Sequence, residues 1–268
     1  MTLQRYTGNF ASCLNQINAT EQKIATAKQG MQDRILKGKN SDYFQMGCWH
    51  PEAFPVINER ILAIKGEYNP LIAIEYAKQA TEAHRANKEF YLTEKVLLNG
   101  KPAVQVLNEI AEADYKKPIS KKRVFDMGKV GTHQVSTTDF ADDKGIVFLA
   151  QGEKLAKNYG KFLKDKVGIS EVTFYLPNLT KEDYLRGFWL CGLGSDDGSD
   201  FGGCGGGLDY DGGSLFGVFN DAESTQKILP YTKKDVGLAV QNLSRLSKIL
   251  QPNQIADLEA LIRKLKNQ

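Results

Sequence analysis

Apolar and polar positions follow two different periods along this chain, and the change of period divides it. Between residues 10 and 37 the apolar residues Leu14, Ile17, Ile24, Met31 and Ile35 recur at helical spacing, with Ser12 as a candidate N-cap. Gly38 to Ser41 breaks that run. A second helix is expected after Cys48, with Phe54, Ile57, Ile61 and Ile64 on its apolar side, and a third over 71–87. Near residue 89 the period shortens. Segments 90–98 and 103–107 flank Asn99-Gly100, a pair suited to a two-residue hairpin turn.

The stretch 130–152, VGTHQVSTTDFADDKGIVFLAQG, reads as two strands around a turn. Thr132, Gln134, Ser136 and Thr138 alternate with His133, Val135, Thr137 and Asp139, and 146–150 would pair back as a short apolar strand. A helix over 152–166 ends at Gly168, and a strand over 171–176 ends at Pro177. Two aromatic-rich ends, 187–193 and 214–219, then flank a Gly/Asp/Ser centre and read as strands joined by a long loop. Helical patterns over 233–250 and 255–265 close the chain around Gln251-Pro252. The expectation is one α+β domain over 1–268: a helical N-terminal region (1–88), a mostly antiparallel central sheet (89–220) and a helical C-terminal tail (232–268).

Composition narrows the classes. The chain of 268 residues is 41% hydrophobic, enough for a real core. Its 35 basic and 32 acidic residues nearly cancel, so nothing marks nucleic acid as a partner. No apolar run approaches the ~18 residues of a membrane span. No apolar signal region opens the chain, so a cytoplasmic protein, or one exported without a cleavable signal, is expected, with reduced thiols at Cys13, Cys48, Cys191 and Cys204.

The chemistry open to such a chain is nucleophilic. A thiol at a helix start, lowered in pKa by an imidazole, makes a thiolate. Cys48 precedes an expected helix, and Cys13 follows Ser12 at another. His133 would be the base, and Gln45 could donate an amide to an oxyanion. The group orienting His133 would be Gln151, across the expected pairing, or Asp139, Asp142 or Asp143 near the turn. Asp196, Asp197, Asp200, Asp209 and Asp211 offer oxygen ligands, but the spacing is not that of a calcium loop. Cys191 and Cys204 lack the close partners of a zinc site, so neither metal nor cofactor is expected.

Order and element type over 44–176 resemble the papain-like cysteine hydrolases, including proteases and glutamine deamidases that bacteria use as effectors. The resemblance implies a hydrolase or acyl transferase acting on a protein or peptide amide. Cys48 would be the nucleophile, His133 the base, and Gln151 or an Asp of 139–143 the third member. The competing expectation is a non-enzymatic structural or protein-binding protein, such as an assembly or virion component, whose Gly/Asp-rich loop over 187–219 is an interaction or cation site. Either way the partner is a protein or peptide.

Overall fold

A computed structural model describes residues 3–20, 22–41, 46–193, 201–202 and 207–219, all within one compact unit, Met1–Phe219. The chain enters as a strand, Leu3–Thr7 (β1), followed by helix α1, Phe10–Ala19. Asn9, rather than Ser12, caps α1, its side chain accepting from the Ser12 amide at 3.0 Å. The single helix expected over 10–37 is two. A short strand, Lys23–Ile24 (β2), interrupts it, and helix α2, Ala27–Lys37, restarts at a capping box. In that box the Thr26 hydroxyl and the Gln29 side chain satisfy one another's backbone amides, a local signal strong enough to end one helix and begin the next.

The next two elements are strands where helix was expected. Cys48–Ile57 (β3) and Arg60–Ile64 (β4) form a hairpin through Asn58 and Glu59, at φ 52° and 58°. All ten residues of β3 are buried. Phe54 and Val56 enter one core, and Trp49, Ala53 and Ile57 enter the other. On β4, Ile61 and Ala63 enter the first core, and Leu62 and Ile64 the second. A strand covered on both faces shows no polar alternation, and its apolar run imitates a helix. Pro51 and Pro55 argue against the helix, since neither can donate an intrahelical hydrogen bond.

Helix α3, Ile74–Arg85, matches the third expected helix. Strand β5, Phe90–Tyr91, follows. The Asn99-Gly100 hairpin is present as Leu97–Leu98 (β6) against Lys101–Pro102 (β7). It is short, because 103–107 belongs to helix α4, Ala103–Ala113. Strand β8, Val124–Gly128, pairs with β4.

The stretch 130–152 departs most from its reading. His133–Ser136 (β9) is a strand, but its partner is Glu171–Tyr175 (β10), with Phe174 opposite His133. The expected second strand is a buried helix, Lys144–Ala150 (α5), capped by Asp143, whose carboxylate accepts from the Ile146 amide at 2.8 Å. Helix α6, Glu153–Phe162, follows and ends through a π turn at Gly168, φ 87°. Strands Tyr184–Leu190 (β11), Phe201–Gly202 (β12) and Ser214–Val218 (β13) complete the unit.

The larger sheet runs β8-β4-β3-β11-β12-β10-β9, with β5 also on β11; β10–β12 is its one parallel pairing among the described residues. β13 pairs with β1 and β2 in a second sheet. Helices α2, α5 and α6 share the first core, and α1, α3 and α4 the second. The fold class is α+β around a mostly antiparallel sheet. The helices expected over 233–250 and 255–265 lie outside the described residues.

One close approach constrains the packing. A Cβ at Gly160 on α6 would lie 2.0 Å from the Thr137 carbonyl oxygen. Gly160→Ala is expected to destabilise the protein by about 3 kcal/mol in chemical denaturation. Gly131→Ala, where a Cβ meets nothing within 4 Å, is expected to stay within about 0.5 kcal/mol of the parent.

Candidate functional site

Cys48 begins β3 rather than a helix. Its neighbour is His50, with Sγ 3.3 Å from Nε2. His50 Nδ1 sits 2.9 Å from the Ala25 carbonyl oxygen. A carbonyl only accepts, so Nδ1 carries the proton and Nε2 accepts from the thiol. Both side chains are buried. Burial pushes the Cys48 thiol up to about 12, and pushes His50 down to about 3. The pair is neutral at physiological pH and acts as a hydrogen-bonded piece of core. Cys13 is similar: buried, directed at the carbonyls of Tyr6 and Gly8 at 3.4 and 3.5 Å, and raised to about 11 by burial.

His133 lies on β9, and the structure does not bring it into bonding distance of Cys48. Its Nδ1 faces the Gly131 carbonyl at 2.9 Å and its Nε2 faces Asp143 at 2.9 Å. Both partners accept, so the protonated ring donates from both nitrogens. Burial alone would lower its pKa. The hydrogen bonds to Asp143 and Gly131 and the Asp143 charge outweigh this, and the pKa is raised above its usual value. In that protonated form, with both nitrogens committed, the ring has no free base.

Gln151 is the left-handed cap that ends α5, at φ 56°, and is not opposite His133. It lines a cavity of about 430 Å³ with Glu52, Lys65 and the apolar residues Leu14 and Ile17. Asp139 accepts from the Thr138 hydroxyl at 3.0 Å, within a 3-10 turn. Gln45 lies outside the described residues, as do Asp196, Asp197, Asp200 and Cys204. Asp211 is held by Asn9 at 3.2 Å and faces Arg85 at 3.9 Å. Among the described residues, no group of three His, Cys, Asp or Glu side chains could hold a metal ion. None of their helices is long and apolar enough to cross a membrane.

The part of the Gly/Asp connection that is described, 207–213, is pinned to the frame. Gly8 and Phe10 donate to the carbonyls of Gly213 and Leu208 at 3.1 and 2.9 Å, and the Leu208 amide donates to His84 Nδ1 at 3.0 Å. Gly213 lies against Trp49, where a Cβ would come within 1.9 Å of the indole. Trp49 in turn meets Phe10 and Trp189 edge to face. Tyr210, at 58% exposure, stands out from this base.

No protein family's model matches the chain, and no curated protein matches it. A solved structure does, one that concerns the accommodation of massive sequence variation in Nanoarchaeota by the C-type lectin fold. The superposition has a TM-score of 0.58 at 13% identity and covers 81% of this chain and 98% of that one. The chain is similar in fold to the C-type lectins. This likeness overturns the papain-like reading and the cysteine-hydrolase and thiol-protease assignments that rested on it. The order of elements over 44–176 is shared only if β3 is a helix and α5 a strand, and neither is.

Sequence reasoning missed Glu52, a carboxyl at 2% exposure within an unbroken buried strand. The available signal was a lone acid in the run CWHPEAFPVI.

Two outcomes are expected. A thiol-alkylating reagent at neutral pH should leave Cys13 and Cys48 unmodified until denaturant is added, read by peptide mass spectrometry; rapid modification of native Cys48 contradicts this assignment. The His133–Asp143 pair should stabilise the fold below pH 6.5, the ordinary histidine value, and lose this contribution as pH rises through the higher folded pKa. Denaturation midpoints from about pH 6 to about pH 8 should therefore fall more steeply for the parent than for His133→Gln, and equal slopes would rule the pair out.

Proposed function

We propose that this protein is a non-enzymatic binding protein that contacts a protein or peptide partner through the connection between β11 and β13. The observation that carries the reading is the placement of Tyr210. It is exposed, flanked by Asp209 and Asp211, and held on a base of backbone hydrogen bonds to Gly8, Phe10 and His84. A rigid base with a projecting aromatic loses little conformational freedom on binding, and tyrosine is enriched among contact residues that dominate affinity. Gly212 serves the same arrangement, since a Cβ there would come within 2.7 Å of the Tyr210 ring.

The fold likeness supports the same reading. The solved structure concerns the accommodation of massive sequence variation by the C-type lectin fold, and a frame that accepts such variation suits a protein whose contacts are specialised. Cys13 and Cys48 are buried and hydrogen-bonded, and His133 is held between Gly131 and Asp143, so these residues do not form the expected nucleophile–base pair.

The test uses peptides selected from a display library against the native protein. Their affinity should fall at least tenfold, about 1.4 kcal/mol, with Tyr210→Ala, while the melting temperature is unchanged. Peptides bound equally by parent and variant would remove Tyr210 from the contact surface. Labelling of native Cys48 by a peptide-like acylating electrophile, abolished in Cys48→Ala, would restore the enzyme reading.

A further inference from the structure

We propose that the cavity beside Glu52 is a binding site for a small primary ammonium ion carrying an apolar body, with the Glu52 carboxylate as its counter-charge. The site is built by an irregularity in β3. The ladder between β3 and β11 pairs Ala53 with Gly187 and His50 with Phe188, so Pro51 and Glu52 have no partners across the strand. Pro51 has no amide proton to lose from the ladder, and the two-residue bulge re-aims the side chain that follows it. Glu52 thereby leaves the sheet and turns toward the start of α2, where its Oε2 accepts from the Ala27 amide at 3.1 Å.

The cavity it lines is about 430 Å³, within the usual range for a small-molecule site. Leu14, Ile17, Ile24, Pro51 and Ile72 supply the apolar wall. The charged groups that face Glu52 are Lys23 from β2 and Lys65 and Glu67 from the end of β4 and the turn after it, with Lys28 of α2 acting on Lys65. Lys65 is committed elsewhere: its Nζ donates to the Ser120 carbonyl at 3.2 Å and lies 5.9 Å from the centre of the Phe148 ring. No cation among the described residues comes within 4.0 Å of Glu52, as its absence from every ion pair shows.

A carboxyl at 2% exposure without a paired cation is costly to ionise. Burial accordingly raises Glu52 to about 7, against the lowering effect of the Ala27 amide, its own amide and Lys65. An ammonium guest supplies the missing charge, and its hydrocarbon part covers the apolar wall. A neutral guest supplies only the second, and an anionic guest meets the carboxylate directly. The amine stays protonated across neutrality, so affinity should follow ionisation of Glu52 and rise about tenfold between pH 6 and pH 8.

The experiment titrates the full chain with 2-phenylethylamine, with 2-phenylethanol and 3-phenylpropionate as neutral and anionic counterparts, by calorimetry and melting temperature. The amine is expected to bind and raise the melting temperature, with the alcohol and the acid at least tenfold weaker. Glu52→Gln keeps an oxygen for the Ala27 amide and should weaken amine binding at least tenfold. Asn18→Trp, at the exposed rim of the cavity, should block the amine without lowering the melting temperature of the free protein. No amine binding at millimolar concentration, equal binding of the alcohol or the acid, or unchanged binding by Glu52→Gln or Asn18→Trp would each overturn the proposal.

Discussion

Burial of β3 on both faces is the constraint on which the rest of this structure depends. Ten consecutive residues lie inside, and successive side chains feed two cores. At roughly 1.5–3 kcal/mol for each large apolar side chain removed from water, Trp49, Phe54, Val56 and Ile57 form a large share of the drive to fold. Both faces must then be covered. α2, α5 and α6 cover one, and α1, α3 and α4 the other. β11 must pair along nearly the whole strand, and the β1–β13 pairing brings the start of the unit beside its last described strand.

The same burial decides the chemistry. A cysteine two residues from a histidine looks reactive on paper, and here the two are 3.3 Å apart. Inside a dry sheet, however, neither charged form is supported. The thiol rises, the imidazole falls, and the two settle as a neutral hydrogen bond. His133 shows the opposite case. It is partly exposed and faces a carbonyl and a carboxylate, so its protonated form is favoured, and it pairs with Asp143, which in turn starts α5. The residue types are those of a hydrolase, but their surroundings hold Cys48 against His50 and His133 against Asp143. Glu52, buried and in no ion pair among the described residues, sits where the ladder breaks.

Much of the architecture was legible wherever the determinant was local. Asn99-Gly100 specified a turn through its left-handed backbone, Gly168 ended a helix for the same reason, and the strands near 171–176, 187–193 and 214–219 stand close to where alternation and turn residues put them. The Thr26–Gln29 capping box was equally local and went unread, which joined α1 and α2 into one helix. The errors over 48–64 and 146–150 have another cause. IVFLA is apolar on every side, and in β3 and β4 the few polar residues, His50, Glu52 and Arg60, do not alternate regularly enough to mark a period.

By itself, then, the sequence determined the α+β class, the turns, and the supply of thiols, imidazoles and carboxylates from which any site must be made. Only the tertiary structure decided which of them meet. Cys48 and His133 are separated because β11, β12 and β10 lie between β3 and β9 in the sheet. Glu52 faces a cavity because two residues of β3 go unpaired against β11. Both outcomes depend on strand pairing between segments far apart in the chain. Register is set by how the apolar faces of all the strands and helices fit together, a property of no single segment.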